Sequence, residues 1–259
     1  MSVLAVEQLR KAFEGVVAVD DLSFAMEPGE VVALIGPNGA GKSTTFNMLN
    51  GQLAPDRGRI RLFGKDVTGW PARRIAREGV GRTFQITQTF GSMTVRENVQ
   101  TALIAHRRRG LDLFSRAVAF DPAGADALLA TVGLADAADR PASQLAYGDL
   151  KRLELAVALS GQPRLLLMDE PTAGMAAGER QALMALVKSI ATAAEGPSVL
   201  FTEHDMDVVF AHADRILVMN RGALIAEGAA EAIRSDPRVR EVYLGGGAAP
   251  VPGAGQADA

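Results

Sequence analysis

Short apolar runs alternate with segments of helical spacing along much of this chain. The apolar runs cover Val31 to Ile35, Leu165 to Met168, Val199 to Thr202 and Ile216 to Met219. Strands that are apolar along their whole length are typical of a parallel sheet with helices covering both faces. The pattern therefore predicts an α/β core built on a largely parallel sheet.

Two other parts of the chain show different patterns. Segments 22–26 and 59–63 alternate apolar and polar residues, which predicts an antiparallel β-rich flank. Between about residues 94 and 160 the strand-like runs stop, and apolar residues recur at helical spacing. We expect a helical subdomain there, inserted into a core made of about residues 1–93 and 161–244.

Composition narrows the class of protein. The 259 residues are 48% hydrophobic and 22% charged, as in a globular domain, and the net charge of −3 with no basic stripe predicts no nucleic-acid partner. Cysteine is absent, which excludes thiolate sites.

No apolar stretch is long enough to span a bilayer, and the N-terminus resembles no secretory signal, so any membrane contact should be made through partner proteins. Residues 245–259 are rich in Gly, Ala and Pro and are predicted to be disordered.

The strongest chemical motif is GxxxxGKS, which lies between the first apolar run and a helix-like segment at 44–49. Glycines let backbone N–H groups converge on phosphate oxygens, and a following helix adds its positive N-terminal dipole. Lys42 would neutralise the β and γ phosphates of a nucleotide, and Ser43 would ligate magnesium. A chance glycine-rich turn is the alternative, and the strand and helix flanks argue against it. The predicted nucleotide-binding residues here are Gly36, Pro37, Asn38, Gly39, Ala40, Gly41, Lys42, Ser43 and Thr44.

Two acids end the second apolar run, Asp169 and Glu170. Successive residues of a strand point to opposite sides, so the two carboxylates should do different work. Asp169 suits the magnesium shell, and Glu170 suits a general base that activates a water in line with the γ phosphate. An acid pair at a strand end is unremarkable by itself, so this interpretation depends on the phosphate loop.

Single residues at two further positions are candidates for nucleotide chemistry. His204 lies just past the end of the third apolar run, where its ring could bond the γ phosphate and orient Glu170. His106 and His212 have no such context and are expected to be structural. Phe13 lies upstream of the first run and could stack on adenine, with a plain core role as the alternative.

Five segments in order along the chain resemble the ABC (ATP-binding cassette) ATPases. They are residues 36–44, Arg82-Thr-Phe-Gln85, Leu145-Ala-Tyr-Gly148-Asp149, the strand ending in Glu170, and Thr202-Glu-His204. The resemblance spans nearly the whole chain. It implies a P-loop NTPase fold of the α/β class, with an ATPase domain at residues 1–244 that uses ATP and Mg²⁺. P-loop kinases and small GTPases would share the first segment but not the others in this order.

The resemblance also implies site residues that the pattern alone does not give. Gln85 would contact the magnesium ion or its water, take part in catalysis and relay the nucleotide state to a membrane partner. A signature segment would bind ATP held by a second, identical or different, cassette packed head to tail. That segment comprises Leu145, Ala146, Tyr147, Gly148 and Asp149. ATP would close the dimer, and hydrolysis would reopen it.

Within the ABC ATPases, four segments are similar to the branch that imports branched-chain amino acids: residues 81–85, 93–99, 169–175 and 242–245. The resemblance implies transmembrane permease subunits as partners and an extracytoplasmic solute-binding protein as an indirect one. It places the chain at the cytoplasmic face of the inner (plasma) membrane as a peripheral subunit. Relatives in this branch carry other cargos, among them urea, short amides and aromatic acids, so the cargo stays open.

Three departures from the family pattern stand out. Ala146 replaces a serine that would donate to the γ phosphate across the dimer, and Asp149 replaces a glutamine and brings a negative charge near phosphate unless it points away or pairs with Lys151 or Arg152. Residues 173–177 lack the Asp or Asn that the family usually has in this loop between subunits.

Three other functions remain as alternatives to an importer subunit. They are a soluble ABC ATPase acting on ribosomes or DNA, an exporter cassette and a cassette that does not hydrolyse ATP. The intact catalytic residues argue against the last.

Overall fold

The structure is a computed structural model that describes residues 2–83, 89–106 and 121–244. The strands are β1 Leu4–Phe13, β2 Val16–Met26, β3 Val31–Ile35, β4 Arg57–Leu62, β5 Lys65–Asp66, β6 Val80–Thr83, β7 Leu165–Asp169, β8 Ser198–Thr202, β9 Arg215–Asn220 and β10 Ala223–Gly228. The helices are α1 Lys42–Leu49, α2 Ala72–Arg77, α3 Val95–His106, α4 Pro122–Thr131, α5 Tyr147–Leu159, α6 Ala177–Ala191, α7 Met206–His212, α8 Ala230–Ser235 and α9 Pro237–Leu244. In these ranges no helix is long and apolar enough to cross a bilayer.

The central sheet has the strand order β10-β9-β3-β8-β7-β6. All of its neighbouring strands run parallel except β10, which is antiparallel to β9. The four predicted apolar runs are strands β3, β7, β8 and β9 of this sheet. The predicted α/β class with a largely parallel sheet is therefore confirmed.

Burial on both faces explains why these strands are apolar throughout. In β3, Val31, Ala33 and Ile35 enter one hydrophobic cluster, which the helices α3 to α9 help to form. Val32 and Leu34 point the opposite way, into a second cluster shared with α1 and the antiparallel strands. A strand with core on both sides has no polar face, so the alternation of an exposed sheet is lost.

The predicted flank is a second sheet of order β2-β1-β4-β5, in which every pair is antiparallel. The helices α3, α4 and α5 follow one another between β6 and β7, so the chain leaves the sheet, forms helices and returns. This arrangement agrees with the predicted helical insertion, although its bounds at 94 and 160 stay a prediction. The segment 245–259, predicted to be disordered, lies outside the described residues.

Strand order brings the chemical motifs to one edge of the sheet. Strands β3, β8 and β7 are consecutive neighbours and parallel, so their carboxyl ends lie side by side. The phosphate loop follows β3, the acid pair ends β7, and His204 follows β8. In open α/β sheets this edge is where ligands bind.

Candidate nucleotide-hydrolysis site

The phosphate loop joins β3 to α1 and needs glycine at both ends. A Cβ on Gly36 would lie 2.2 Å from the carbonyl oxygen of Met219, and one on Gly41 would lie 2.4 Å from that of Ala18. Gly41 also has a left-handed φ of 100° and is the N-cap of α1. The helix therefore begins at Lys42, two residues earlier than predicted, because the glycine allows the sharp entry.

Gly41→Ala is expected to lower the free energy of unfolding by at least about 1–2 kcal/mol, because the backbone is left-handed and the new methyl group meets a backbone oxygen. Gly178→Ala is the matched control. It lies in the first turn of α6, and the methyl group of the alanine would meet nothing within 4 Å, so it should stabilise by about 0.5–1 kcal/mol. Urea unfolding of both variants measures the difference. Equal stability of the two would contradict the assigned loop geometry.

Lys42 lies at the centre of the loop with its side chain folded inward. Its Nζ donates to the carbonyl oxygens of Gly36 at 2.6 Å and Pro37 at 3.2 Å, and the residue is 8% exposed. Burial lowers the pKa of the Lys42 ammonium, and the negative charges of Glu170 and Asp169 oppose that shift. The cation therefore faces both acids, and bound phosphates could replace the loop carbonyls as its acceptors.

Asp169, the last residue of β7, is held by groups from two other strands. Its Oδ1 accepts a 2.8 Å hydrogen bond from the Thr202 hydroxyl, and its Oδ2 lies 3.6 Å from the Arg82 guanidinium. Arg82 also donates to the side chains of Gln52 and Asn47. One carboxylate is thus fixed between the end of β8 and a basic group that begins the predicted Gln85 segment.

Glu170 follows the last residue of β7, so the turn after the strand, and not strand alternation, sets the direction of its side chain. Its backbone N–H bonds both the carbonyl and the hydroxyl oxygens of Thr202, at 3.2 and 3.0 Å, and its φ is 48°. Its Oε1 lies 2.8 Å from Nε2 of His204. Glu170 and His204 therefore form a pair that reaches past the strand tips, and half of the histidine side chain is exposed.

The exposed aromatic at the end of β1 lies on the hairpin that adjoins the phosphate loop. Phe13 is 46% exposed and belongs to neither hydrophobic cluster, so its ring has no core role. The Nζ of Lys11 lies 5.7 Å from its ring centroid. Ala18, further along the same hairpin, approaches Gly41 closely. The ring is thus free to stack on a flat ligand.

The signature segment lies at the start of α5. Leu145 is buried, Ala146 is the N-cap without a side-chain hydrogen bond, and the Tyr147 hydroxyl donates to the carbonyl of Ala173 at 3.0 Å. Asp149 lies in the first helical turn, where a negative charge stabilises the helix dipole. Lys151, a suggested partner for Asp149, bonds Glu154 instead.

One predicted site residue lies outside the described ranges, whereas Ser43, Gly148 and His212 lie within them. Gln85 falls outside the described residues. Gly148 is buried near Glu179, and Ser43 is exposed in the first turn of α1. His212 bonds Gln181, and burial lowers the pKa of its imidazole, which agrees with a structural role.

Arg82 and Glu203 had no separate role in the prediction from sequence. The structure places Arg82 against Asp169 and Glu203 beside His204. Arg82 approaches Asp169, and the buried Glu203 bonds Thr172 and His204. Arg82 lies in the segment 82–85 and Glu203 in the segment 202–204, both of which the sequence analysis selected. Membership of these segments was the only sign of a role that the sequence offered. Neither spacing nor polarity shows which neighbour such a side chain meets.

The fold and the loop together define a P-loop nucleoside triphosphatase. The model of the ABC transporter family matches residues 19–173, and that of the branched-chain amino acid ATP-binding cassette transporter matches residues 223–249. The chain therefore belongs to the ABC transporter ATP-binding family, and it is an ATPase subunit of that family.

Relatives and solved structures agree with this assignment. The "High-affinity branched-chain amino acid transport ATP-binding protein LivG" of Salmonella typhimurium is 42% identical over 251 residues, which are 93% of this chain and 97% of that protein. BraF of Pseudomonas aeruginosa, described in the same words, is 40% identical, with 94% and 98% covered. The crystal structure of the ADP conformation of MJ1267, an ATP-binding cassette of an ABC transporter, is 33% identical with a TM-score of 0.84 and covers 95% of this chain and 99% of its own.

Proposed function

We propose that this chain hydrolyses ATP as one cassette of a dimer that powers an importer of branched-chain or related amino acids. The observation that carries the catalytic part is the Glu170–His204 pair, 2.8 Å apart at the edge of the sheet where the phosphate loop begins. The cargo rests on the relatives, whose names specify branched-chain amino acid transport, and on the family match at residues 223–249.

In the proposed reaction Glu170 is the general base. Its carboxylate takes a proton from water as the water oxygen attacks the γ phosphorus, and the bond from that phosphorus to the β–γ bridging oxygen breaks. His204 holds the carboxylate through the 2.8 Å contact and offers its exposed ring edge to the γ phosphate. Lys42 gives up its loop carbonyls to neutralise the phosphates, with the N–H groups of residues 36–44 around them.

The residues present fit a magnesium ion held mainly by phosphates. The described residues contain no group of three His, Cys, Asp or Glu side chains that could hold a metal without other ligands. Magnesium typically binds through one or two carboxylates, waters and substrate phosphates, and Asp169 with the exposed Ser43 hydroxyl matches that set. Gln85 is the third proposed ligand. When bound, the ion would neutralise charge on the β and γ phosphates.

The signature segment would act on the partner cassette. Ala146 offers no hydroxyl, so the unsatisfied N–H groups in the first turn of α5 would be the donors to the γ phosphate of ATP held across the dimer. Leu145, Tyr147, Gly148 and Asp149 would line the same contact. Phe13, whose side chain is 46% exposed, would stack on adenine of the chain's own ATP.

The proposed partners are transmembrane permease subunits and a second ABC ATPase, with a solute-binding protein contacted only through the complex. The chain would work as a peripheral subunit at the cytoplasmic face of the plasma membrane. ATP shifts the dimer toward closure because it binds the closed state better than the open one.

Purification of the tagged chain from its host in mild detergent tests the transport assignment. We expect permease subunits and a second cassette to co-purify, and vesicles containing the complex and its binding protein to take up labelled leucine in the presence of ATP. Uptake of urea or an amide without leucine would correct the cargo alone. Recovery of the chain by itself or with ribosomes would contradict the transport role.

A further inference from the structure

Glu203 is a buried carboxylate that the proposed reaction does not use. It stands between Thr202, which ends β8, and His204, and it is 5% exposed. A carboxylate so far from water is costly unless donors surround it. Glu203 also lies directly beside His204, one member of the proposed catalytic pair.

Three donors from two different segments face this carboxylate. Oε1 accepts from the backbone N–H of Thr172 at 2.9 Å and from the Thr172 hydroxyl at 2.6 Å. Oε2 accepts from the backbone N–H of His204 at 3.2 Å. The side chain therefore joins the loop after β7 to the loop after β8.

The register of β7 and β8 shows how Glu203 can fix the relative position of the two loops that follow these strands. Asp169 pairs with Thr202 as the last residues of β7 and β8, so the chain leaves both strands at one level. The strand pairing ends there, and the Glu170 N–H still donates to the Thr202 carbonyl at 3.2 Å. Thr172 and His204 lie further along the two loops, and Glu203 joins them by bonding the backbone of His204 and both the side chain and the backbone of Thr172.

Chemistry at this position favours a carboxylate over its neutral isostere. An amide has one accepting oxygen and one donating nitrogen, whereas Glu203 accepts from two backbone N–H groups, which can only donate, and from one hydroxyl. In Glu203→Gln the NH₂ group must face an N–H either at Thr172 or at His204. The Thr172 hydroxyl could turn and accept from the NH₂ group, but whichever way the amide turns, one backbone N–H loses its acceptor.

We propose that Glu203 is a positioning residue for hydrolysis, whose carboxylate fixes the Thr172 and His204 backbones so that the His204 ring stays on Glu170. Glu203 itself touches neither water nor phosphate in this role. The proposal rests on the roles proposed above for Glu170 and His204. Small misplacements of catalytic groups are costly, and losses of about 10²-fold from shifts near 1 Å are known.

The first test compares Glu203→Gln, Thr172→Val and Thr172→Ser in the full chain. Glu203→Gln and Thr172→Val are expected to lower kcat by about tenfold or more, with the Kd for ATP changed by less than about threefold. Thr172→Ser keeps the hydroxyl and should retain most of kcat. Thr172→Val also keeps the test decisive if Glu203→Gln fails to fold. A lower melting temperature with unchanged kcat in the folded fraction would assign Glu203 a stability role and overturn the proposal.

A second test asks whether Glu203 acts through the histidine. In a His204→Ala background, Glu203→Gln should cost less than about threefold more in kcat, because the group it positions is gone. Losses that multiply would overturn the proposal. If Glu170→Gln and His204→Ala leave hydrolysis intact, the catalytic assignment fails and Glu203 with it. If those two variants lower kcat strongly and Glu203→Gln leaves kcat unchanged, the Glu203 proposal fails alone.

Discussion

Glu170→Gln is expected to lower kcat for ATP hydrolysis by about 10²–10⁴-fold, the range typical of a lost general base. Glutamine matches glutamate in shape and can adopt the same left-handed backbone, whose N–H bonds to Thr202 would be kept. The amide cannot take a proton from water. ATP should still bind, since Lys42 and the loop are unchanged, and should accumulate uncleaved in the closed dimer.

Phosphate release measures the loss of kcat, and the amount of ATP retained after gel filtration measures whether the variant still binds ATP. Glu195→Gln makes the same chemical change at an exposed position between α6 and β8, and it should keep the wild-type rate. Hydrolysis by Glu170→Gln above about a tenth of the wild-type rate would show that another group removes the proton. Loss of ATP binding would instead point to a damaged phosphate loop.

Lys42→Met is expected to raise the Kd for ATP by about 10²-fold or more. A hydrogen bond to a charged group contributes about 1.5–3 kcal/mol, and Lys42 is proposed to make two with the phosphates. Without nucleotide, two effects of the substitution oppose each other. Methionine leaves the Gly36 and Pro37 carbonyls without the Lys42 donor, which lowers the free energy of unfolding. Burial lowers the pKa of Lys42, so the folded state holds this proton less tightly than the unfolded chain does. The charge therefore opposes folding at neutral pH, and methionine removes it.

Thermal unfolding with and without ATP separates these effects. At an ATP concentration of 100 times the wild-type Kd, binding stabilises the wild type by about 2.7 kcal/mol, and a hundredfold weaker variant by about 0.4 kcal/mol. Lys65→Met is the matched control, because Lys65 lies on β5 in an exposed ion pair with Glu78. An ATP shift in Lys42→Met equal to that of the wild type would contradict the proposed phosphate contact.

The central strands were predictable because two buried faces leave a continuous apolar run. Strand β3 has the bounds that its sequence predicted. Strands β6 and β10 were not predicted, since they lie at the two edges of the sheet and contain Gly81, Arg82 and Glu227. Hydrogen bonds to a single neighbour define an edge strand, and these bonds leave no hydrophobic signature.

In the candidate site, too, some features were predictable from the sequence and others were not. The loop, the acid pair and His204 could be chosen from sequence because each directly follows an apolar run. The 2.8 Å approach of Glu170 to His204 was expected for the same reason. The contact of Glu203 with Thr172 depends on the register that pairs Asp169 with Thr202. Register between distant strands is set by the packed core, so no local pattern could give it.

The phosphate loop contacts residues that come about 180 positions later in the chain and are therefore synthesised much later. Gly36 packs on the carbonyl of Met219, and the carbonyl of Ala40 accepts a hydrogen bond from the Gly222 N–H at 3.0 Å. A ribosome delivers these supports after most of the polypeptide has emerged. The phosphate loop therefore gains its full set of supports only after residues 219–222 have been synthesised.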